Sequence, residues 1–438
     1  MSDVIGWTSR PAGPIRGEIS VPGDKSISHR AIMLASIAEG TSHISGFLEG
    51  EDTRATAAAF GSLGVSIDAP RSSQRIVHGV GLHGLTAAAT ALDCGNSGTG
   101  MRLLAGLLAG QAFDSRLVGD ASLSRRPMRR VIEPLSAMGA SIAAEAGDFP
   151  PLCIRGRREL RGIRYAPPIA SAQVKSATLL AGLYARGDTE IEESHPTRDY
   201  TERMLAAFGW PIAFSPGRAR LSGGHRLRAT DVDVPADFSS AAFFIAAAAL
   251  VPGSELCLKS VGLNPRRTGL LDVLRAMGAD IREENPRQQG GERVADLIVQ
   301  YAPLRGIEVP VGQVSDMIDE FPILFIAAAA ARGTTTIRGA AELRVKESDR
   351  IATMARGLRA LGIQLVETPD GAVIEGGALA GGDVAAAGDH RVAMSFAVAG
   401  LLAKDTVRIA DCANVATSFP GFPELANSVG FAIDAGGW

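Results

Sequence analysis

The sequence predicts an α/β protein of two domains, assembled from six similar segments whose helices lie buried under strands. Three observations carry this. A glycine followed by a short apolar run recurs at Gly64, Gly139, Gly209, Gly278, Gly362 and Gly430, spaced 75, 70, 69, 84 and 68 residues apart. Each segment opens on a helix-like stretch that is apolar nearly all round, a pattern that fits only burial on every side. The 438 residues also leave room for more than one core, at roughly 150 residues per domain.

In chain order, the opening stretches are SISHRAIMLASIAEG (26–40), SGTGMRLLAGLLAG (97–110), SAQVKSATLLAGLYARG (171–187), FSSAAFFIAAAALVPG (238–253), EFPILFIAAAAARG (320–333) and HRVAMSFAVAGLLA (390–403). A loop and a second helix follow each one. The recurring glycine stops that second helix as a C′ residue. The runs LGVSI, MGASI, FGWPI, MGADI, LGIQL and VGFAI around it then read as strands. Two helices and a few short strands cannot bury both helices alone, so three units pack together per domain. The competing arrangement is one doubly wound domain with insertions. Against it, no segment shows strand–GxGxxG–helix with an acidic residue about 20 positions on.

Composition excludes several functions. A net charge of −3, with four Tyr and three Trp, argues against a nucleic-acid binder. Cys94, Cys153, Cys257 and Cys412 form no CxxC pair, against zinc ribbons and disulfide frameworks. The opening residues lack a signal-peptide layout, and no apolar run reaches the ~20 residues of a membrane span. A soluble, cytoplasmic protein is expected. HExxH, HxH and GxSxG are absent, which removes zinc and serine hydrolases. PGDKS at 22–26 is no phosphate loop, because Asp24 separates Gly23 from Lys25 and Glu18 stands where the first glycine belongs.

Function belongs where the repeat breaks. Polar residues crowd the starts of five buried helices: Asp24 to Arg30, Asn96 to Thr99, Ser171 to Lys175, Asp319–Glu320 and Asp389 to Arg391. Ser26, Ser97, Ser171 and Ser239 suit plain N-capping. Lys25, Arg30, Lys175 and Arg391 do not, because a helix start repels cations; a bound anion accounts for them more simply. The arginines from 124 to 130 and the mixed charges of 343–350 read either as solvated faces or as forks for carboxylate or phosphate. The solvated reading pairs Arg344 with Glu347 and Lys346 with Asp349. Glu347 lies among cations, which suits a base.

Six motifs then match a known family: GDKSISHR (23–30), GNSGTGMRL (95–103), GDASLSRRPM (119–128), SAQVKSA (171–177), RVKESDR (344–350) and GDHRVAM (388–394). In order and over nearly the whole chain, they resemble the 5-enolpyruvylshikimate-3-phosphate synthases, and the second bacterial class among them. The resemblance implies a two-domain inside-out α/β barrel with three βαβαββ-type units per domain. A central domain would span 24–236. A discontinuous one would span 1–23 plus 237–438, with the active site in the cleft between them. It implies transfer of the enolpyruvyl (1-carboxyvinyl) group of phosphoenolpyruvate to the 5-hydroxyl of shikimate 3-phosphate, through a tetrahedral intermediate. Phosphate is released, in the sixth step toward chorismate. No metal, no cofactor, no nucleic acid and no membrane are implied, and a monomer suffices.

By the same resemblance, the catalytic residues are Asp319, Glu347 and Lys25. Shikimate 3-phosphate is held by Lys25, Ser26, Arg30, Ser171, Ala172, Gln173, Arg198, Asp319 and Lys346. Phosphoenolpyruvate is held by Lys25, Asn96, Gly98, Arg126, Gln173, Arg350 and Arg391. Gly98 leaves room for bulkier analogues such as glyphosate. Thr417 stands where many members carry Lys, and Leu103 where many carry Pro. The sister transferases that act on UDP-N-acetylglucosamine carry Lys-Asn in place of Lys25-Ser26, and an anion-binding module without chemistry would lack Lys25, Asp319 or Glu347.

Overall fold

The computed structural model describes residues 5–156 and 159–436. The chain divides into two units. The central unit is Gly23–Val234 with Gln289–Glu292; the flanking unit takes the chain up to Pro22, Pro235–Gln288 and everything from Arg293. Each encloses its own hydrophobic core.

Twelve α-helices occur among the described residues, two per repeat. The central unit holds α1 (Lys25–Ser36), α2 (Glu51–Ser62), α3 (Gly98–Ala109), α4 (Arg129–Ala137), α5 (Ala172–Gly182) and α6 (Tyr200–Ala207). The flanking unit holds α7 (Phe238–Leu250), α8 (Gly269–Ala276), α9 (Phe321–Ala330), α10 (Arg350–Ala360), α11 (His390–Leu402) and α12 (Phe422–Ser428). The odd-numbered helices are the stretches apolar all round. Every residue of α7 is buried, and all but the last of α9 and α11. The even-numbered helices bury one face only; α4 buries just Val131, Pro134 and Leu135. Each even helix ends two residues before a recurring glycine. All six glycines take φ between +81° and +113°, the left-handed conformation a C′ residue needs.

Among the described residues, strands cover the helices as six separate sheets, three per unit. The second sheet shows the plan. Leu92–Asp93 pairs in parallel with Ser115–Val118, which pairs antiparallel with Phe149–Arg155, and Ser141–Glu145 lies at the far edge. In chain order with α3 and α4, this is βαβαββ. One sheet reduces its first strand to a bridge between Glu308 and Thr336. Two edge strands are exchanged. Arg16–Ile19 runs just ahead of α1, yet pairs with Glu255 to Leu258 of the flanking unit. Val232–Asp233 runs just ahead of α7, yet completes the first central sheet against Ile44 and Ser45. The helices are therefore inside and the sheets outside, as expected. No helix among the described residues is long and apolar enough to cross a membrane.

Candidate active site

In the central unit, three buried helices are tied together at their N-termini. Asp24 caps α1, accepting from the Ile27 amide at 2.8 Å, and Ser97 and Ser171 cap α3 and α5. Lys25 Nζ lies 3.0 Å from Asp52 Oδ2 on α2. Arg30, one turn on, is 4% exposed. It donates to the Ser26 carbonyl (2.8 Å), to Ser176 Oγ on α5 (2.8 Å) and to Thr201 Oγ1 on α6 (2.7 Å). Burial, reinforced by nearby Arg198, pulls its guanidinium down to about 10, against Glu202, Asp24 and Tyr200.

The start of α3 gathers the next group. Arg126 donates to the Asn96 carbonyl (3.2 Å) and to Asn96 Oδ1 (2.7 Å), while Asn96 donates to Asp120 at 2.7 Å. Gln173, on the first turn of α5, donates to Thr99 Oγ1 (2.7 Å) and accepts from Arg102 Nη1 (3.0 Å). A methyl group on Gly98 would stand 2.7 Å from Arg102 Nη1 and 3.4 Å from Arg126 Nη1. Lys25, Ser26 and Arg30 on α1, Asn96, Gly98 and Arg126 around α3, and Ser171, Ala172 and Gln173 on α5 thus belong to linked helix starts. Arg198 joins them through its charge beside Arg30.

The flanking unit repeats the arrangement with acids and bases interleaved. Asp319 sits just before α9. Its Oδ2 accepts from Arg267 Nη1 at 2.9 Å; its Oδ1 faces Arg350 Nη1 at 3.5 Å and Lys346 Nζ at 3.7 Å. Arg350, 2% exposed, is a hub. Its Nε donates to Asp389 Oδ2 at 2.8 Å and its Nη2 to Glu347 Oε2 at 2.7 Å. Burial alone would lower this guanidinium; Asp389, Glu347 and Asp319 outweigh it and raise it above its ordinary value. Arg391 donates to the Asp319 carbonyl (3.2 Å) and to Glu320 (3.4 Å), which also accepts from Ser239 on α7.

Three expectations are corrected. Lys175 needs no bound anion: it is 2% exposed and lies 2.9 Å from both Glu193 and Glu202. Burial would lower its ammonium, but the two glutamates hold it above its ordinary value. Neither expected pair in 343–350 forms. Arg344 takes Asp349 (2.8 Å) and Glu367 (3.0 Å), Lys346 faces Asp319, and Glu347 takes Arg350, because the segment is a 3-10 turn leading into α10 rather than one helical face. Ser26 and Ser239 do not cap; Asp24 and Asp237 do. Arg102 and Arg267 were not foreseen as site residues. Arg102 stands inside GNSGTGMRL, four residues after Gly98, which was the available signal. Nothing local marks Arg267, whose partner Asp319 is 52 residues away.

Each unit therefore gathers three buried-helix N-termini and surrounds them with Lys, Arg and carboxylates. Helix starts attract anions, arginine forks select carboxylate and phosphate, and carboxylates beside them can exchange protons. Such an arrangement can hold anionic groups and move protons beside them. The chain belongs to the EPSP synthase (3-phosphoshikimate 1-carboxyvinyltransferase) family, whose sequence profile matches residues 9–425. It is 65% identical over 429 residues to the 3-phosphoshikimate 1-carboxyvinyltransferase of Xanthomonas campestris pv. campestris (strain B100), covering 98% of both chains. It is 65% identical over 431 residues to that of Xanthomonas axonopodis pv. citri (strain 306), again with 98% of both covered. Among solved structures it resembles an EPSP synthase from Acinetobacter baumannii, with a TM-score of 0.89 and 51% identity. That match covers 98% of this chain and 99% of the other.

Proposed function

We propose that the protein transfers the 1-carboxyvinyl group of phosphoenolpyruvate to the 5-hydroxyl of shikimate 3-phosphate and releases phosphate. The observation that carries the reading is the Arg350 hub, where one buried guanidinium joins Glu347 and Asp389 and faces Asp319. Two carboxylates able to carry protons thus stand beside fixed cations able to hold anions.

In this reading Asp319 accepts the proton of the 5-hydroxyl through Oδ1, since Oδ2 is fastened to Arg267. The hydroxyl oxygen bonds to C2 of phosphoenolpyruvate while Glu347 protonates C3, giving the tetrahedral intermediate. Glu347 then takes a C3 proton back, the double bond re-forms and the C2–O bond to phosphate breaks. Lys25, paired with Asp52, donates to the departing phosphate. Arg126, Arg350, Arg391, Asn96, Gly98 and Gln173 hold phosphoenolpyruvate. Ser26, Arg30, Ser171, Ala172, Gln173, Arg198 and Lys346 hold shikimate 3-phosphate. The protein works as a cytoplasmic monomer on these small molecules, with no nucleic-acid or membrane partner; sedimentation at micromolar concentration tests the monomer.

Phosphate release from phosphoenolpyruvate in metal-free buffer, with and without shikimate 3-phosphate, tests the reaction. Release only with shikimate 3-phosphate is expected. Release only with UDP-N-acetylglucosamine would assign the sister activity instead.

A further inference from the structure

His29 is fully buried in the middle of the α1 motif, and none of the roles above uses it. Its Nδ1 lies 2.8 Å from Thr56 Oγ1 on α2, and its Nε2 lies 3.3 Å from Ser97 Oγ, the cap of α3. Neighbouring contacts assign the tautomer. The Thr56 hydroxyl donates to the Asp52 carbonyl at 3.3 Å, so it accepts from His29 Nδ1–H. That leaves Nε2 as an acceptor, and the Ser97 hydroxyl donates to it while accepting from the Gly100 amide at 2.9 Å. This assignment gives every hydroxyl hydrogen in the network an acceptor.

One imidazole thereby sets three helices in register. Its own helix carries Lys25. The helix reached through Nδ1 carries Asp52, which holds the Lys25 ammonium. The helix reached through Nε2 begins at Ser97 and Gly98. We propose that His29 is a positioning residue that fixes the Lys25–Asp52 pair relative to the N-terminus of α3, and so sets the affinity for phosphoenolpyruvate. The inference rests on the reading that Lys25 and Gly98 contact that substrate.

The charged groups facing the ring are Lys25 and Arg30 from its own helix; α2 and α3 present the neutral hydroxyls of Thr56 and Ser97. Burial first, then Lys25 and Arg30, hold its pKa well below the ordinary value, so the neutral network persists at working pH.

The two hydrogen bonds can be separated. In His29→Asn the amide nitrogen falls where Nδ1 was, keeping the bond to Thr56 and losing Ser97. In His29→Gln the longer side chain places its amide oxygen near the Nε2 position, keeping Ser97. His29→Leu loses both. The measurement is KM for phosphoenolpyruvate and kcat in all three variants, with shikimate 3-phosphate binding followed by calorimetry. A lost neutral hydrogen bond corresponds to about a two- to ten-fold effect. The expected result is such a rise in KM for phosphoenolpyruvate in His29→Asn and His29→Leu, and a smaller rise in His29→Gln. Shikimate 3-phosphate, for which Lys25 is one of several contacts, should lose affinity by a smaller factor than phosphoenolpyruvate. Nitrogen NMR of the parent protein should show Nδ1 protonated and Nε2 bare.

An unchanged KM in His29→Leu overturns the inference. So does an equal loss of affinity for both substrates, which marks a structural role only, and so does a ring protonated at Nε2. Lys25→Ala is the control for the underlying reading. If that variant keeps its KM for phosphoenolpyruvate, the reading fails. If it loses affinity while His29→Leu does not, the inference alone fails.

Discussion

Asp319 has its two oxygens in different surroundings, and that decides what its removal does. Arg267, Lys346 and Arg350 all lie within 3.7 Å of it. Truncation leaves three cations with one fewer counter-charge, so anion binding should hold or tighten while the proton acceptor is gone. Asp319→Ala is expected to lower kcat by about 10²–10⁴. Calorimetric affinities for both substrates should move far less, and an unchanged kcat would remove Asp319 from the mechanism. Gly98 is the other sensitive position. In Gly98→Ala the new methyl meets the tip of Arg102 at 2.7 Å, and Arg126 stands next. Both side chains can shift, so folding should survive. A displaced guanidinium should raise KM for phosphoenolpyruvate by about five-fold, the worth of one hydrogen bond. Glyphosate, if it occupies the same space, should lose potency in parallel, which an inhibition titration reads directly. His29 adds a pH dependence. Its folded pKa lies below the unfolded value near 6.5, so the unfolded chain takes up the proton first. Its contribution is present above about pH 6.5 and is lost as pH falls, by up to about 1.4 kcal/mol per pH unit. Urea titrations at pH 7 and 5.5 should show that slope in the parent and a shallower one in His29→Gln.

At the scale of helices, the interior cations behave differently from the site cations. Lys175 lies on α5 between Glu193 and Glu202, with side chains 3%, 0% and 2% exposed. Lys175→Met leaves two carboxylates buried face to face and should cost about 3–5 kcal/mol. Thermal unfolding checks this, and a loss below 1 kcal/mol would mean that water reaches the pair. Lys175 also shows where a sequence stops being informative. Its motif was legible because a lysine interrupts an apolar helix, but its partners sit across a loop, and sequence does not show which distant carboxylate folds back. Arg267 was hidden for the same reason, since it acts through a residue 52 positions away. The buried helices were legible because nothing but burial tolerates an all-apolar surface. The six glycines were legible because a left-handed stop has few alternatives. Edge strands of two residues, such as Leu92–Asp93 and Val232–Asp233, carry no period to read. Their pairing comes from tertiary contacts alone.

For the whole molecule, the decisive fact is that each unit owns its core and its sheets. The central unit is almost one unbroken stretch, and Val232–Asp233 closes its first sheet from within. A fragment of residues 23–234 should therefore fold by itself, with a cooperative urea transition and native-like circular dichroism. A featureless, non-cooperative melt would show that it depends on the rest of the chain. The fragment should show no turnover, because it lacks Asp319 and Glu347.

The exchanged strands also dictate a timetable. Trp7, stacked on Phe422 with ring centroids 5.7 Å apart, pairs with Ile409; Arg16–Ile19 pairs from Glu255 onward. On a ribosome adding roughly 5–20 residues per second, Trp7 waits about 20–80 s for its last partner. The central unit can be finished during that interval, so the nascent chain folds from the middle outward. Throughout, it trails an unpaired edge strand that other nascent chains could capture. These strands are thus made long before they find their place. Slowing translation would prolong that exposure without weakening a single contact in the finished fold.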